Sequence, residues 1–538
     1  MEKNQDVSGF LKASGKKVVN GDGKEILLRG VGFGSWLLPE GYMWRFPDEG
    51  DRPRRIERMI SELIGDKKAD EFWELYYDRY TAEADIEKIA AEGFNSVRVP
   101  INARFLIEDD AVLQIKENRL ALIDRVIDWC RIHSLYVILD LHGAPGGQTG
   151  TNIDDSANDL PELFLNEQNK QLTVDLWRAL ANRYKDEWIV AGYDLLNEPL
   201  PNWFAQYNGQ IMPLYKDIIS AIREVDQQHM IILEGAHWAT DWSIFDERLD
   251  DNLMLQFHKY WNNPDTESIQ PFLDKREELD FPIFMGEGGE NNCDWFTGAF
   301  RLYEDHDISW NFWTWKKLDC TNSPCSVNMP ENWQQLIDYM QGGARPSAEA
   351  VEHILWAYLD NIRIENCTYR PEVVNALFRR ATVTIPAIFY GYKGEGISYG
   401  ISRRADKNIE YRSGDGVDIR FVDSARETPN FQHMKGEEWQ TDERLYVQLA
   451  PSDWVAYEFT VASAPITIEL ELLVRGPGIA RVMASMNDTF IGARQLESDH
   501  WQNVRIQVQI QAEGLQKLIL RAEEHPVAIQ WIRIAAIS

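Results

Sequence analysis

The chain has 538 residues, of which 44% are hydrophobic: enough apolar material for a large folded core and too much for a disordered chain. Acidic residues outnumber basic ones 86 to 55, and the net charge of −31 repels nucleic acid and anionic membrane while suiting a neutral or cationic partner. No apolar run approaches the roughly 20 residues of a membrane span, and the opening MEKNQDVSGFLKASGKKVV lacks the apolar core of an export signal, so a cytoplasmic location is the expectation.

Short apolar or β-branched runs follow one another along the first two thirds of the chain. They are ILLRGVGFG (26–34), SVRVP (96–100), YVILDLHG (136–143), VAGYDLLNEP (190–199), MIILEG (230–235), LMLQFHKY (253–260), FPIFMGEGG (281–289) and ISWNFWTWK (308–316). Between them lie segments of helical periodicity such as AEADIEKIAAEG, NRLALIDRVIDWCRIHS and MPLYKDIISAIREVDQQ. Eight strands alternating with helices predict a closed parallel (β/α)8 barrel. An open doubly wound sheet is the alternative, but no Gly-rich phosphate loop follows the first run. A further helix, SAEAVEHILWAYLDNI, buttresses the barrel. From about residue 385 the texture turns all-β, with period-2 alternation in YRSGDGVDIRFVD, DWVAYEFTVA, ITIELELLVRG and WQNVRIQVQIQ. The expected organisation is a barrel over 1–380 and a jelly-roll-like β-sandwich over 381–538. Five cysteines make no disulfide framework and no zinc-ligand spacing, although Cys320 and Cys325 could close a small loop in an oxidising compartment.

Catalytic groups of such barrels stand at the C-terminal ends of the strands. Here those ends carry Arg98, His142, Asn197 with Glu198, His258 with Tyr260, Glu287, and Trp313 with Trp315. Glu198 and Glu287 end the fourth and seventh strands and can face each other across the mouth. Glycosidic bond cleavage uses such a pair, one carboxylic acid to protonate the leaving oxygen and one carboxylate opposite; a gap of about 5–5.5 Å gives retention and a wider one inversion. Twenty tryptophans fit that reading, because indole rings stack on the apolar faces of uncharged sugars as well as filling cores. His142, His237 and His258 admit a metallohydrolase as a rival, but neither an HxH pair after the first strand nor an HExxH helix is present, and no metal or other cofactor is expected.

The ordered set VRVP, DLHG, LLNEP, FHKY, MGEGG and FWTWK resembles glycoside hydrolase family 5, retaining β-glycosidases on a (β/α)8 barrel, over about residues 15 to 340. The resemblance implies Glu198 as general acid/base and Glu287 as nucleophile. It implies that Asn197 holds the 2-hydroxyl, that Arg98 and Tyr260 contact Glu287, and that His142 and His258 bind sugar hydroxyls or support the acid. The family's tryptophan at the floor of the sugar site is Trp313 or Trp315. DLHGAPGGQTG and FWTWK look most like the exo-β-1,3-glucanase and β-glucosidase branch, while GGENNCDW after Glu287 and KLDCTNSPCS after the eighth strand are this chain's own. SWLLPEGYMW adds Trp36 and Trp44 as rim platforms for sugar. The C-terminal region resembles family 6 carbohydrate-binding modules through YRSGDGVDI, DWVAYEFTV and AIQWIRI. There Tyr411, Trp439 and Trp501 are candidates for stacking on sugar, and Trp454 and Trp531 read as core. The implied function is exo-acting, cofactor-free hydrolysis of β-glucans or gluco-oligosaccharides. Endo-acting glucanase or mannanase, and a non-catalytic sugar-binding protein, are the alternatives.

Overall fold

The computed structural model describes residues 4–108, 112–405, 409–423 and 426–537. The chain divides into two compact units, Met1–Lys259 with Pro271–Gly288 and Ser309–Tyr369, and Tyr260–Gln270 with Gly289–Ile308 and Arg370–Ser538.

In the first unit eight parallel strands close into a barrel in chain order. They are β1 (Arg29–Gly32), β2 (Ser96–Asn102), β3 (Tyr136–Gly143), β4 (Val190–Asp194), β5 (Met230–Glu234), β6 (Leu253–His258), β7 (Ile283–Gly289) and β8 (Ser309–Trp313). All but β1 are buried along their whole length, as parallel strands covered on both faces must be. The intervening helices are amphipathic: Glu117–His133 buries Leu120, Ile123, Ile127 and Cys130, one stripe at helical spacing. It ends at Ser134, whose left-handed backbone returns its N–H to the Cys130 carbonyl. At the N-terminal end of β3, the Tyr136 hydroxyl donates to the carbonyls of Ser8 and Gly9 and accepts the Ser8 N–H, so the leading segment packs at the end of the barrel opposite the C-terminal ends of the strands.

The second unit contains two antiparallel sheets. One runs Asp418–Phe421, Leu445–Leu449, Val527–Ile537, Ile466–Arg475 and Gln502–Ile510, with Val383–Pro386 also paired to Val527–Ile537. The other runs Tyr399–Gly400, Trp454–Val461, Gly514–Ala522, Arg481–Met486 and Thr489–Gln495. Alternate residues are buried, Ile468, Leu470, Leu472 and Val474 in one and Val455, Tyr457, Phe459 and Val461 in the other. Two expected sugar-stacking rings belong to the core instead. Tyr411 and Trp439 are buried, packed 5.2 and 5.7 Å from the Phe431 ring. Trp454 and Trp531, expected in the core, are only half-buried. All five cysteines are free thiols. Among the described residues no helix is long and apolar enough to cross a membrane.

Beneath the barrel, buried Asp226 accepts from the Tyr193 hydroxyl at 2.7 Å and meets His229 Nδ1 at 2.5 Å. Burial raises its carboxyl, but the His229 and backbone bonds outweigh burial and bring it down to about 2 from 3.8. A depressed folded-state value gives stability that is present above the unfolded value and is lost as pH falls through the folded one. Asp226→Asn should therefore cost about 2 kcal/mol at neutral pH and flatten the loss of stability between about pH 4 and 2, read by urea denaturation across that range.

Candidate active site

Six strands point polar side chains into the mouth of the barrel, mostly at alternate positions, because only every second residue of a strand faces inward. Asp140 and His142 share β3, Gln256 and His258 share β6, and β2, β4, β5 and β7 contribute Arg98, Asp194, Glu234 and Glu287. Arg98 has no exposed surface. Its Nε donates to Asp194 at 2.8 Å, Nη2 donates to Asn197 Oδ1 at 2.8 Å and to Glu234 at 3.1 Å and lies 3.1 Å from Asp140, and Nη1 donates to Glu287 Oε1.

The expected run through YDLLNEP as one strand is corrected: β4 ends at Asp194, four residues before Glu198. The chain then leaves the ladder, with Leu195 N–H bonded to Ile232 O and Asn197 N–H to Leu141 O. Glu198 itself is left-handed, at φ 44°, a conformation a non-glycine residue holds only when its surroundings impose it. The Glu198 N–H donates to Glu234 Oε2 at 2.7 Å, and Gln148 ties the adjoining loops by donating to the carbonyls of His142 and Asn197.

The Glu198 carboxyl reaches His258, with Oε1 2.6 Å from Nδ1. Glu287 Oε2 lies 3.7 Å from the same nitrogen. One oxygen from each glutamate and one nitrogen of His258 thus fall within 4.8 Å of one another. That spacing would also admit a divalent cation; His142 and His237 are not part of it. Burial pushes the Glu198 carboxyl up; His258 opposes this, and the charges of Glu287 and Glu234 reinforce it. Burial disfavours charged His142, but Asp140, 2.8 Å from Nδ1, outweighs it and raises the ring to about 9.

Trp313, not Trp315, lies in the mouth. Its ring stacks on His142 at 5.4 Å and an interplanar angle of 4°, and its indole N–H donates to the Tyr42 hydroxyl at 2.9 Å. A methyl group at Gly32 would come within 2.8 Å of the Trp313 ring, which explains the glycine in VGFG. Trp315 is in the core, donating to Asp85 at 2.9 Å. Trp36 is corrected likewise: it has no exposed surface and donates to the Tyr77 carbonyl, so it cannot meet a sugar. Trp44 is also fully buried, its ring centroid 4.8 Å from that of Tyr358. Tyr260 opens the second unit, where its ring lies 5.6 Å from Trp261 and its carbonyl accepts from Asn291.

Sequence reasoning missed Asp140, Asp194, Glu234 and Gln256. Their signal is a polar residue inside an apolar strand, two positions before a noted site residue for Asp140 and Gln256, and closing MIILE for Glu234.

Residues 63–319 match the family model described as Cellulase (glycosyl hydrolase family 5). A β-xylosidase of Phanerodontia chrysosporium is 31% identical over 47% of this chain and 52% of its own length. The chain thus spans about half of that relative. Glucan 1,3-beta-glucosidase 2 of Wickerhamomyces anomalus is 28% identical over 58% of this chain and 71% of that one, and endoglucanase C of Acetivibrio thermocellus 26% over 45% and 86%. A solved endoglucanase structure from Thermotoga maritima aligns at 18% identity and a TM-score of 0.42, over 65% of this chain and 96% of that one.

The charge arrangement around Glu198 is open to direct titration. In protein carrying 13C-carboxyl glutamate, Glu198 should titrate above 4.5, and in Glu287→Gln it should titrate at lower pH than in the parent, since one of the negative charges that raise it is gone. An unchanged or higher midpoint in the variant would contradict the described coupling.

Proposed function

We propose that this chain is a retaining β-glycosidase that cleaves β-glucosidic bonds in β-glucans or gluco-oligosaccharides, working from the non-reducing end. The observation that carries this reading is the approach of carboxylate oxygens of Glu198 and Glu287 to within 4.8 Å, short of the roughly 6.5–9.5 Å of an inverting pair and suited to direct attack by one of them. Glu287 is the nucleophile: Arg98 holds Oε1, and Oε2 attacks the anomeric carbon. Glu198 gives its proton to the departing oxygen, then takes one from the water that releases the sugar. Its raised carboxyl suits that cycle, because it stays protonated past the ordinary carboxylate range. Asn197 sits beside this pair to hold the 2-hydroxyl, and Trp313 lies beneath the sugar ring as its floor.

The family 5 match and relatives named glucan 1,3-beta-glucosidase, beta-xylosidase and endoglucanase support a β-glycosidase acting on such chains. Endo action is the second reading, favoured by the endoglucanase relatives. The C-terminal sandwich is read as a carbohydrate-binding module that uses Trp501, whose half-buried ring lies 5.5 Å from Tyr446 under the Arg475 guanidinium.

Glu287→Ala and Glu198→Ala should each lower turnover of an aryl β-glucoside by several orders of magnitude while the fold persists. Azide should restore Glu198→Ala and yield the β-glucosyl azide; near-parental rates in either variant would refute the pair. On laminarin, glucose from the first minutes means exo action, whereas a spread of oligomers transfers the assignment to endo action. Trp501→Ala should weaken retention on insoluble β-glucan and leave hydrolysis of soluble oligosaccharides intact; unaltered retention would remove the sandwich from substrate binding.

A further inference from the structure

Glu234 closes β5 and has no step of its own in the scheme above, yet it is fully buried and meets four groups of the site. Oε2 accepts the Glu198 N–H at 2.7 Å. Oε1 accepts from Gln256 Nε2 and from Arg98 Nη2, the latter at 3.1 Å, and lies 3.4 Å from His258 Nε2. The far side of that imidazole is 2.6 Å from Glu198 Oε1. Glu234 therefore reaches Glu198 by two routes, directly at the main chain and through one ring at the carboxyl.

Each route has a physical consequence. An ionised acceptor makes a strong bond to a backbone N–H, and this one falls on the residue held at φ 44°. Glu234 thus holds the acid's backbone in a conformation that its own preferences resist. On the second route, Glu234 at Nε2 and Glu198 at Nδ1 together favour the imidazolium of His258, against the effect of burial, so that one N–H is directed at Glu234 Oε1 and the other, on Nδ1, at Glu198 Oε1. A carboxyl that already accepts a proton bond on Oε1 carries its own transferable proton on Oε2. When that proton leaves for the glycosidic oxygen, the Nδ1–H bond strengthens against the carboxylate that forms.

We propose that Glu234 is a positioning residue for proton donation, fixing the backbone of Glu198 directly and, through His258, selecting Oε2 as the oxygen that carries the proton. This rests on the reading of Glu198 as the acid/base. Glu234→Gln keeps the volume but turns one of the two acceptor oxygens into a donor, so one route is broken whichever way the amide turns.

The test compares kcat/KM for cellobiose, whose leaving group needs a proton, with that for 2,4-dinitrophenyl β-glucoside, whose leaving group does not. In Glu234→Gln the loss on cellobiose should exceed the loss on the dinitrophenyl substrate by about 100-fold, the scale of general acid catalysis. In a Glu198→Ala background the same substitution should add little further loss, because both act on one proton. Equal losses on the two substrates, or full additivity with Glu198→Ala, would overturn the proposal and leave Glu234 a structural residue. If Glu234→Gln fails to give a cooperative melt, Glu234→Asp, which keeps the charge and withdraws the carboxylate by one methylene, is read by the same ratio. A parent chain inactive on every β-glycoside sinks the glycosidase reading itself; an active parent with equal losses in the variant sinks only the role of Glu234.

Discussion

A single buried guanidinium organises the mouth of the barrel. Arg98 has no exposed surface, and a charge withdrawn from water in that way is tolerated only where its donors are all engaged. The acceptors come from different strands: Asp140 on β3, Asp194 on β4, Glu234 on β5, Glu287 on β7, and Asn197 on the loop after β4. One side chain thus sets the relative positions of groups far apart in sequence. The carboxylates around it outnumber the permanent cation, and burial amplifies the imbalance. Asp140 and Asp194 are pushed up by burial although Arg98 opposes it, and His258 is raised by Glu234, Glu287 and Glu198 against the effect of burial. Burial raises the Glu198 carboxyl first of all, His258 moderates the rise, and the charges of Glu287 and Glu234 add to it.

Tryptophan distribution separates packing from recognition. Trp36, Trp44, Trp177, Trp295, Trp310, Trp315 and Trp333 are among the largest fully buried side chains. Trp44, Phe46, Trp333 and Tyr358 form one aromatic cluster, with Phe46 and Trp333 stacked at 5.3 Å. The indole richness that suggested sugar platforms therefore serves the core in large part. Trp313 differs because its partners are site groups, His142 on its face and Tyr42 at its edge. Where a tryptophan's N–H is satisfied inside the core, as in Trp36 and Trp315, its ring is committed there too.

Backbone shape matters as much as side-chain chemistry. Glu198 and Leu200 both take left-handed conformations, and Pro199 between them has no N–H to offer a sheet. Glu198 is therefore presented from a turn braced by Glu234 and Gln148 rather than from a strand end. Glycine serves the same region by absence: a Cβ on Gly286 would lie 2.0 Å from the Gln256 side chain, in the space that lets Gln256 reach Glu234.

The eight apolar runs, their helical spacers and the change to period-2 alternation near residue 385 were legible from the sequence, because burial of one face forces those periodicities whatever the final geometry. The residues at the strand ends were legible for the same reason: polar groups closing apolar runs are costly unless used. Tertiary structure alone decided which of Trp313 and Trp315 faces the mouth: two positions apart, they would share a face of one continuous strand, but β8 ends at Trp313 and the chain beyond it carries Trp315 into the core. It alone decided that Trp36 and Trp44 are core, because two rings in a loop are sorted only by the helices that cover them. It alone also decided that Glu234 belongs with Glu198, 36 residues away in sequence, because that contact exists only after β4 and β5 pair side by side.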